Sequence, residues 1–107
     1  MSLHSPTAEE TRWMQDIAAL GCVVCYLQGH PGTPGVVHHI LRGSVRMGHM
    51  FTICLCDPGH HQNGDGVLKI SRHPWRTRFV RTYGSEMLLL GKTRGLVNGI
   101  KDVSIGD

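Results

Sequence analysis

Val37-His38-His39-Ile40, followed downstream by Ile53-Cys54-Leu55-Cys56-Asp57-Pro58-Gly59-His60-His61, decides how the 107-residue chain is read. Each segment opens on a short apolar run of the kind that suits a pleated surface. Val36 to Leu41 is therefore expected to form one strand and Phe51 to Cys56 a second, paired antiparallel across a basic turn from Arg42 to Gly48. Side chains alternate along a strand, so His38 and Ile40 point to one face while Val37, His39 and Leu41 point to the other. The two neighbouring imidazoles cannot duplicate one another. Histidine and cysteine bind borderline transition metals most readily, and histidine also moves protons near neutral pH.

Upstream, Thr7 to Leu20 has the spacing of an amphipathic helix, with Trp13, Ile17 and Leu20 on its apolar face. Thr7 can cap it, Glu9 and Glu10 favour its dipole, and Gly21 stops it. A Cys22-Val23-Val24-Cys25 turn follows, then a loop from Gln28 to Gly35 in which His30 is a solvated side chain. Downstream, Asp57 to Arg72 reads as a glycine-bearing loop. Pro74 is expected as the first residue of a helix carrying Trp75, Phe79, Val80 and Tyr83 and ending at Gly84. Ser85 then caps a short helix to Leu90, with Glu86 near its start.

These elements predict one α+β domain over residues 1–107: an N-terminal helix, a metal-stapled β-hairpin and following helices. Its core spans 7–91, and the glycine-dotted segment 92–107 reads as a tail. With 6% aromatic residues and 14 glycines, a staple would offset the small core. No apolar run approaches the roughly twenty residues of a membrane span. The polar start from Met1 to Glu10 lacks the order of a secretion signal, which points to the cytoplasm. In that reducing compartment four cysteines are metal ligands or free thiols rather than disulfides.

A C-x-x-C turn brings Cys22 and Cys25 close enough to share one ion, and a closed tetrahedral zinc site needs two more ligands. Cys56 and His60 are the natural pair, with Cys54 as a substitute for Cys56 or as a buried free thiol. A thioredoxin-like pair is rejected because no βαβ alternation surrounds it. A two-cysteine, two-histidine finger is rejected because positions 42 to 44 hold no second histidine. A zinc deaminase is disfavoured because the sequence has no H-x-E. His38, His39, His61 and His73 are left for catalysis. A divalent ion held by three imidazoles, with a free imidazole beside it to take a proton from water, meets the needs of phosphodiester hydrolysis. One of His38 and His39 can bind while the other acts as base.

The C-x-x-C turn, His38-His39-Ile40 and a Leu55-Cys56 run ending in His60-His61 together resemble the HNH (ββα-metal) endonucleases. With His49, His73 and Phe79-x-x-x-Tyr83-Gly84 the chain is similar, from about Leu20 to Leu90, to the phage-type recombination-enhancement, RecA-dependent nucleases (Ref). The resemblance implies that His39 is the general base and that His38, His61 and His73 are ligands of a catalytic Mg, Mn or Zn ion. His49 falls nearest the family's middle asparagine and is expected to orient His39. Three residues separate Cys56 from His60 where many relatives have two, which leaves the division of His60 and His61 between the sites open. The family's basic N-terminal arm has no counterpart ahead of Thr7.

The net charge is +3, and its distribution is more informative than its size. Lys69, Arg72, Arg76, Arg78 and Arg81 fall between Leu68 and Tyr83 with no acid among them, and Arg42 and Arg46 follow the histidine pair. Basic charge beside a catalytic cluster suits an anionic polymer. Arg42, Arg46, Arg76 and Arg78 are expected to hold DNA phosphates, giving affinity rather than sequence readout. The expected function is a metal-dependent DNA endonuclease of little sequence specificity, from prophage recombination and directed by a RecA filament. The alternative is a non-catalytic zinc module that binds nucleic acid or protein.

Overall fold

A capping box starts the first helix, α1 (Ala8–Leu20): Thr7 Oγ1 accepts from Glu10 N, and Glu10 Oε1 accepts from Thr7 N. The computed structural model describes residues 4–106, with side chains as far as Ile100; readings that fall on 1–3 and 107 lie outside the described residues. Trp13, Ile17 and Leu20 are buried along α1. At Gly21 the backbone turns with φ 87°, and a Cβ there would lie 2.7 Å from the Thr33 carbonyl oxygen, so the turn admits no side chain. Cys22 then leads into a short helix, α2 (Val23–Leu27), placing Cys25 one turn further on.

The central pair of strands is β1 (Val36–His39) and β4 (Thr52–Leu55), antiparallel with His38 opposite Ile53 and His39 opposite Thr52. The first expected strand is shorter than Val36 to Leu41. Ile40 leaves the ladder, and the expected basic turn contains a two-residue hairpin, β2 (Leu41–Arg42) and β3 (Val45–Arg46). All four residues of β4 are buried. Trp13 on α1 locks it, donating from Nε1 to Thr52 Oγ1 at 3.0 Å, while that hydroxyl donates to the His49 carbonyl at 2.9 Å.

The long loop after β4 returns to α3 (Arg76–Tyr83), which begins after Trp75 rather than at Pro74. His73 N is still bonded to the His61 carbonyl, so the chain needs Pro74 and Trp75 to turn into the helix. Phe79 is fully buried from α3. The last helix corrects the tail reading: α4 runs Glu86–Gly106, begun by Ser85 Oγ accepting from Leu88 N. Leu89, Leu90, Thr93 and Val97 are buried on its inner side. A Cβ at Gly91, Gly95 or Gly99 would meet nothing within 4 Å. Those glycines lower helix propensity without marking a break. No helix among the described residues is long and apolar enough to cross a membrane.

Candidate metal centres and active site

Two clusters of metal-ligating side chains meet at the end of β4. The first joins Cys22 and Cys25, at the start and one turn into α2, with Cys56 and His60 from the turn after β4; all four are buried. His60 Nδ1 lies 3.4 Å from Cys22 Sγ, 3.5 Å from Cys25 Sγ and 3.3 Å from Cys56 Sγ, and the sulfurs of Cys25 and Cys56 are 3.8 Å apart. A tetrahedral zinc ion with Zn–S bonds of about 2.3 Å and a Zn–N bond of about 2.0 Å separates its ligands by about 3.5–3.8 Å. The cluster therefore fits a metal ion such as zinc. None of its thiols is in a disulfide. Burial holds the His60 imidazole down to about 4, with Lys69 adding to the effect, so its ring is neutral and free to ligate. At Cys56 burial favours the thiol but is outweighed by the His60 N–H, the neighbouring thiols and Lys69. Lys69 Nζ lies 3.5 Å from Cys56 Sγ and offsets the net negative charge of three thiolates around a divalent ion. Cys54 stands apart from this set, buried on its own with its thiol raised by burial to about 11.

The second cluster gathers His38 from β1, His61 from the turn and His73 from the end of the loop, with ligand atoms within 4.8 Å of one another. Backbone bonding brings the last two together. Arg72 N donates to the His60 carbonyl at 2.7 Å and His73 N to the His61 carbonyl at 3.0 Å. Consecutive residues, His60 and His61, thus face different clusters. Burial, then neighbouring charge, keeps His61 and His73 below the usual imidazole range, so both present lone pairs at neutral pH. Nδ1 of His61 is buried without a hydrogen bond among the described residues, its nearest acid, Asp57 Oδ2, being 3.8 Å away. A stranded ring nitrogen of that kind is what a bound cation would satisfy.

Glu86, at the start of α4, was not singled out as a site residue by the sequence. Its Oε1 lies 3.4 Å from His38 Nε2, and it accepts a hydrogen bond from Arg72 Nε. Arg72 in turn reaches His73 Nδ1 with a nitrogen at 3.5 Å. Burial raises the Glu86 carboxyl, but the approach of His38 and the Arg72 guanidinium more than reverses this, and the group stays ionised. The available signal was that Glu86 is the only glutamate outside the first turn of α1.

His39 faces away from that cluster's partner Glu86 and bonds to His49. His39 Nε2 and His49 Nδ1 are 3.1 Å apart, and His49 Nε2 lies 2.8 Å from the His4 carbonyl oxygen. A carbonyl only accepts, so His49 Nε2 carries the hydrogen and Nδ1 of neutral His49 is the acceptor. His39 Nε2 then donates, which leaves Nδ1 as the basic atom of His39. Burial first, then Arg46, His49 and His38, hold His39 below the ordinary imidazole value. A cleft of about 340 Å³ is lined by His38, His39, His61 and His73 together with Arg46. Arg42 and Arg76 are exposed. Arg78 is partly engaged, donating to the Gly66 carbonyl at 2.8 Å and lying over the Trp75 ring.

Fold and clusters together define a small α+β domain built around one thiol-rich and one imidazole-only group, each able to hold a metal ion. Residues 6–98 match the model of a family described as recombination enhancement, RecA-dependent nuclease, and the chain belongs to that family.

Proposed function

We propose that this protein is a metal-dependent DNA endonuclease of HNH type, hydrolysing phosphodiester bonds with little sequence preference during prophage recombination in concert with a RecA filament. The observation that carries this reading is the hydrogen-bonded run from His39 through His49 to the His4 carbonyl, set beside the cluster of His38, His61 and His73. Zinc would sit with Cys22, Cys25, Cys56 and His60 and hold the fold. A second divalent ion, Mg, Mn or Zn, would sit with His38, His61 and His73 and stabilise the charge of the crowded phosphate and the departing oxygen.

The remaining work falls to the protein. His39 takes the proton of the attacking water on Nδ1, and the positive charge that develops is shared through Nε2–H with His49 Nδ1. His49 cannot turn away, because its own Nε2–H is fixed by the His4 carbonyl and its carbonyl by Thr52. Arg42, Arg46, Arg76 and Arg78 hold phosphates on either side of the cut. Such contacts position a duplex without reading its bases.

His39→Ala is expected to keep the fold and the zinc while slowing Mg²⁺- or Mn²⁺-stimulated plasmid nicking by about 10²–10⁴-fold, the usual worth of a general base. His49→Ala should slow nicking less than His39→Ala, since the base survives but its ring is unrestrained. A wild-type protein that fails to nick DNA whatever divalent ion is supplied, with or without a RecA filament, would leave the non-catalytic zinc module as the better reading.

A further inference from the structure

Val67 and Leu68 are 81% and 80% exposed, the most exposed large apolar side chains among the described residues. Their backbone, by contrast, is tied down. Asp65 Oδ1 accepts from the N–H groups of Val67, Leu68 and Lys69, each at 2.9 Å. Gly66 N donates to the Lys69 carbonyl at 3.0 Å, and the Gly66 carbonyl accepts from Arg78 at 2.8 Å. Gly66 itself, at φ 78°, is packed so that a Cβ would lie 3.2 Å from the Trp75 ring. The tip is thus a rigid turn that displays two aliphatic side chains to solvent.

The loop that carries it begins at His61 and ends at His73, which are joined by the hydrogen bond from His73 N to the His61 carbonyl. Both residues line the catalytic cleft. Exposed Arg76 and Arg78 follow on α3, and the one acid of the tip, Asp65, is engaged by backbone N–H groups. The apolar tip therefore stands beside exposed arginines, on a loop whose two ends line a cleft in which His38 is 4% exposed.

We infer that Val67 and Leu68 form a wedge that enters duplex DNA between two base pairs. The inference rests on the nuclease reading above and adds the form of substrate engagement. Apolar wedges of one or two side chains, flanked by cations on the phosphates, unstack a base step and kink the duplex. A protein partner fits the tip less well: a stable protein interface takes about 800 Å² from each side, far more than two side chains on a turn supply. Recessed ligands give the wedge its use. A smooth duplex presents its phosphates on a convex surface, and a kinked one lets a strand reach inward.

The test uses the zinc-loaded protein in two backgrounds. With His39→Ala, which keeps the DNA intact, binding to a duplex containing 2-aminopurine is expected to raise its fluorescence severalfold through unstacking. Adding Val67→Ser and Leu68→Ser should abolish that rise while leaving the salt dependence of binding unchanged, because no phosphate contact is lost. In the active background the double serine variant should nick intact duplex at least about tenfold more slowly. On a duplex with a mismatched, already unstacked step it should nick nearly as fast as wild type. Because both side chains are exposed, the far-ultraviolet spectrum and zinc content of the variant should match wild type. Fluorescence that rises equally without the two side chains, or equal nicking of both substrates by both proteins, overturns the wedge. So does a defect confined to filament-stimulated nicking, which would make the tip a protein contact. Absence of nicking by wild type on either substrate would instead strike the nuclease reading itself.

Discussion

Removing the carboxylate of Glu86 is expected to damage the protein in two separable ways. Glu86 is 6% and Arg72 7% exposed, so neither charge regains water when its partner is lost. Truncating one member of such a buried pair costs about 3–5 kcal/mol. Glu86→Ala should fall in that range, with about 0.3–1 kcal/mol of it from losing an acid in the first turn of α4. That is a large part of the roughly 5–15 kcal/mol that holds a domain together. Replacing both residues by apolar ones, Arg72→Met with Glu86→Leu, should restore most of the loss, because both desolvation costs disappear along with the attraction. Urea denaturation of the three proteins measures this. The stable double variant then reads the second effect, with the Arg72 contact to His73 lost as well. His38 has lost the carboxylate 3.4 Å away, and a metal-binding histidine without such a partner typically loses 10–100-fold in affinity, roughly. Calorimetric titration of Mn²⁺ into zinc-loaded protein should show that weakening in the double variant with the zinc content unchanged. Wild-type manganese affinity there would refute a positioning role for Glu86. A cost below about 1 kcal/mol for Glu86→Ala would show that the pair behaves as a solvated one.

Three further outcomes are expected. Cys22→Ser should lose zinc and unfold the domain, because a structural zinc site contributes about 10–16 kcal/mol, as much as the whole fold is worth. Cys54→Ala should keep one zinc per chain by mass spectrometry and stay folded, since Cys54 is outside the cluster. Gly95→Ala should stabilise α4 by about 0.5–1 kcal/mol and raise the melting temperature by about 2–8 °C. A lowered melting temperature would mean that the face bearing Gly95 is covered rather than open.

The strands and the first helix could be read directly because their signals are local. Thr7 with Glu10 is a capping signal within one turn, and the alternation around His38 and His39 assigns their faces without any tertiary knowledge. The zinc group could also be read, since a C-x-x-C turn and a Cys-x-x-x-His turn each pre-assemble half a tetrahedron. What resisted was tertiary. Gly91, Gly95 and Gly99 each weaken helix propensity, and only the burial of Leu89, Thr93 and Val97 against the rest of the domain carries α4 through them. Pro74 has the sequence preference of a first helical residue, but the pairing of His73 with His61 overrides it. Glu86 looked like a helix-start acid and is also the partner of two side chains that are distant in sequence.

The two clusters are also mechanically one object. His60 and His61 are consecutive, so a zinc ion that fixes the His60 ring fixes the backbone from which the His61 ring departs. The same turn anchors the far end of the loop, because the carbonyls of His60 and His61 accept from Arg72 and His73. Arg72 then carries the constraint to Glu86, and Glu86 to His38 on the opposite strand. Every member of the imidazole cluster is therefore connected, within three contacts, to the backbone that carries the His60 ring. Side chains gathered at the ends of a 13-residue loop, 61 to 73, would ordinarily suffer from the loop's freedom. Here the loop is closed at its root by the zinc ligands and at its tip by Asp65, so three ring nitrogens can stay aligned in a domain with little apolar core to spare.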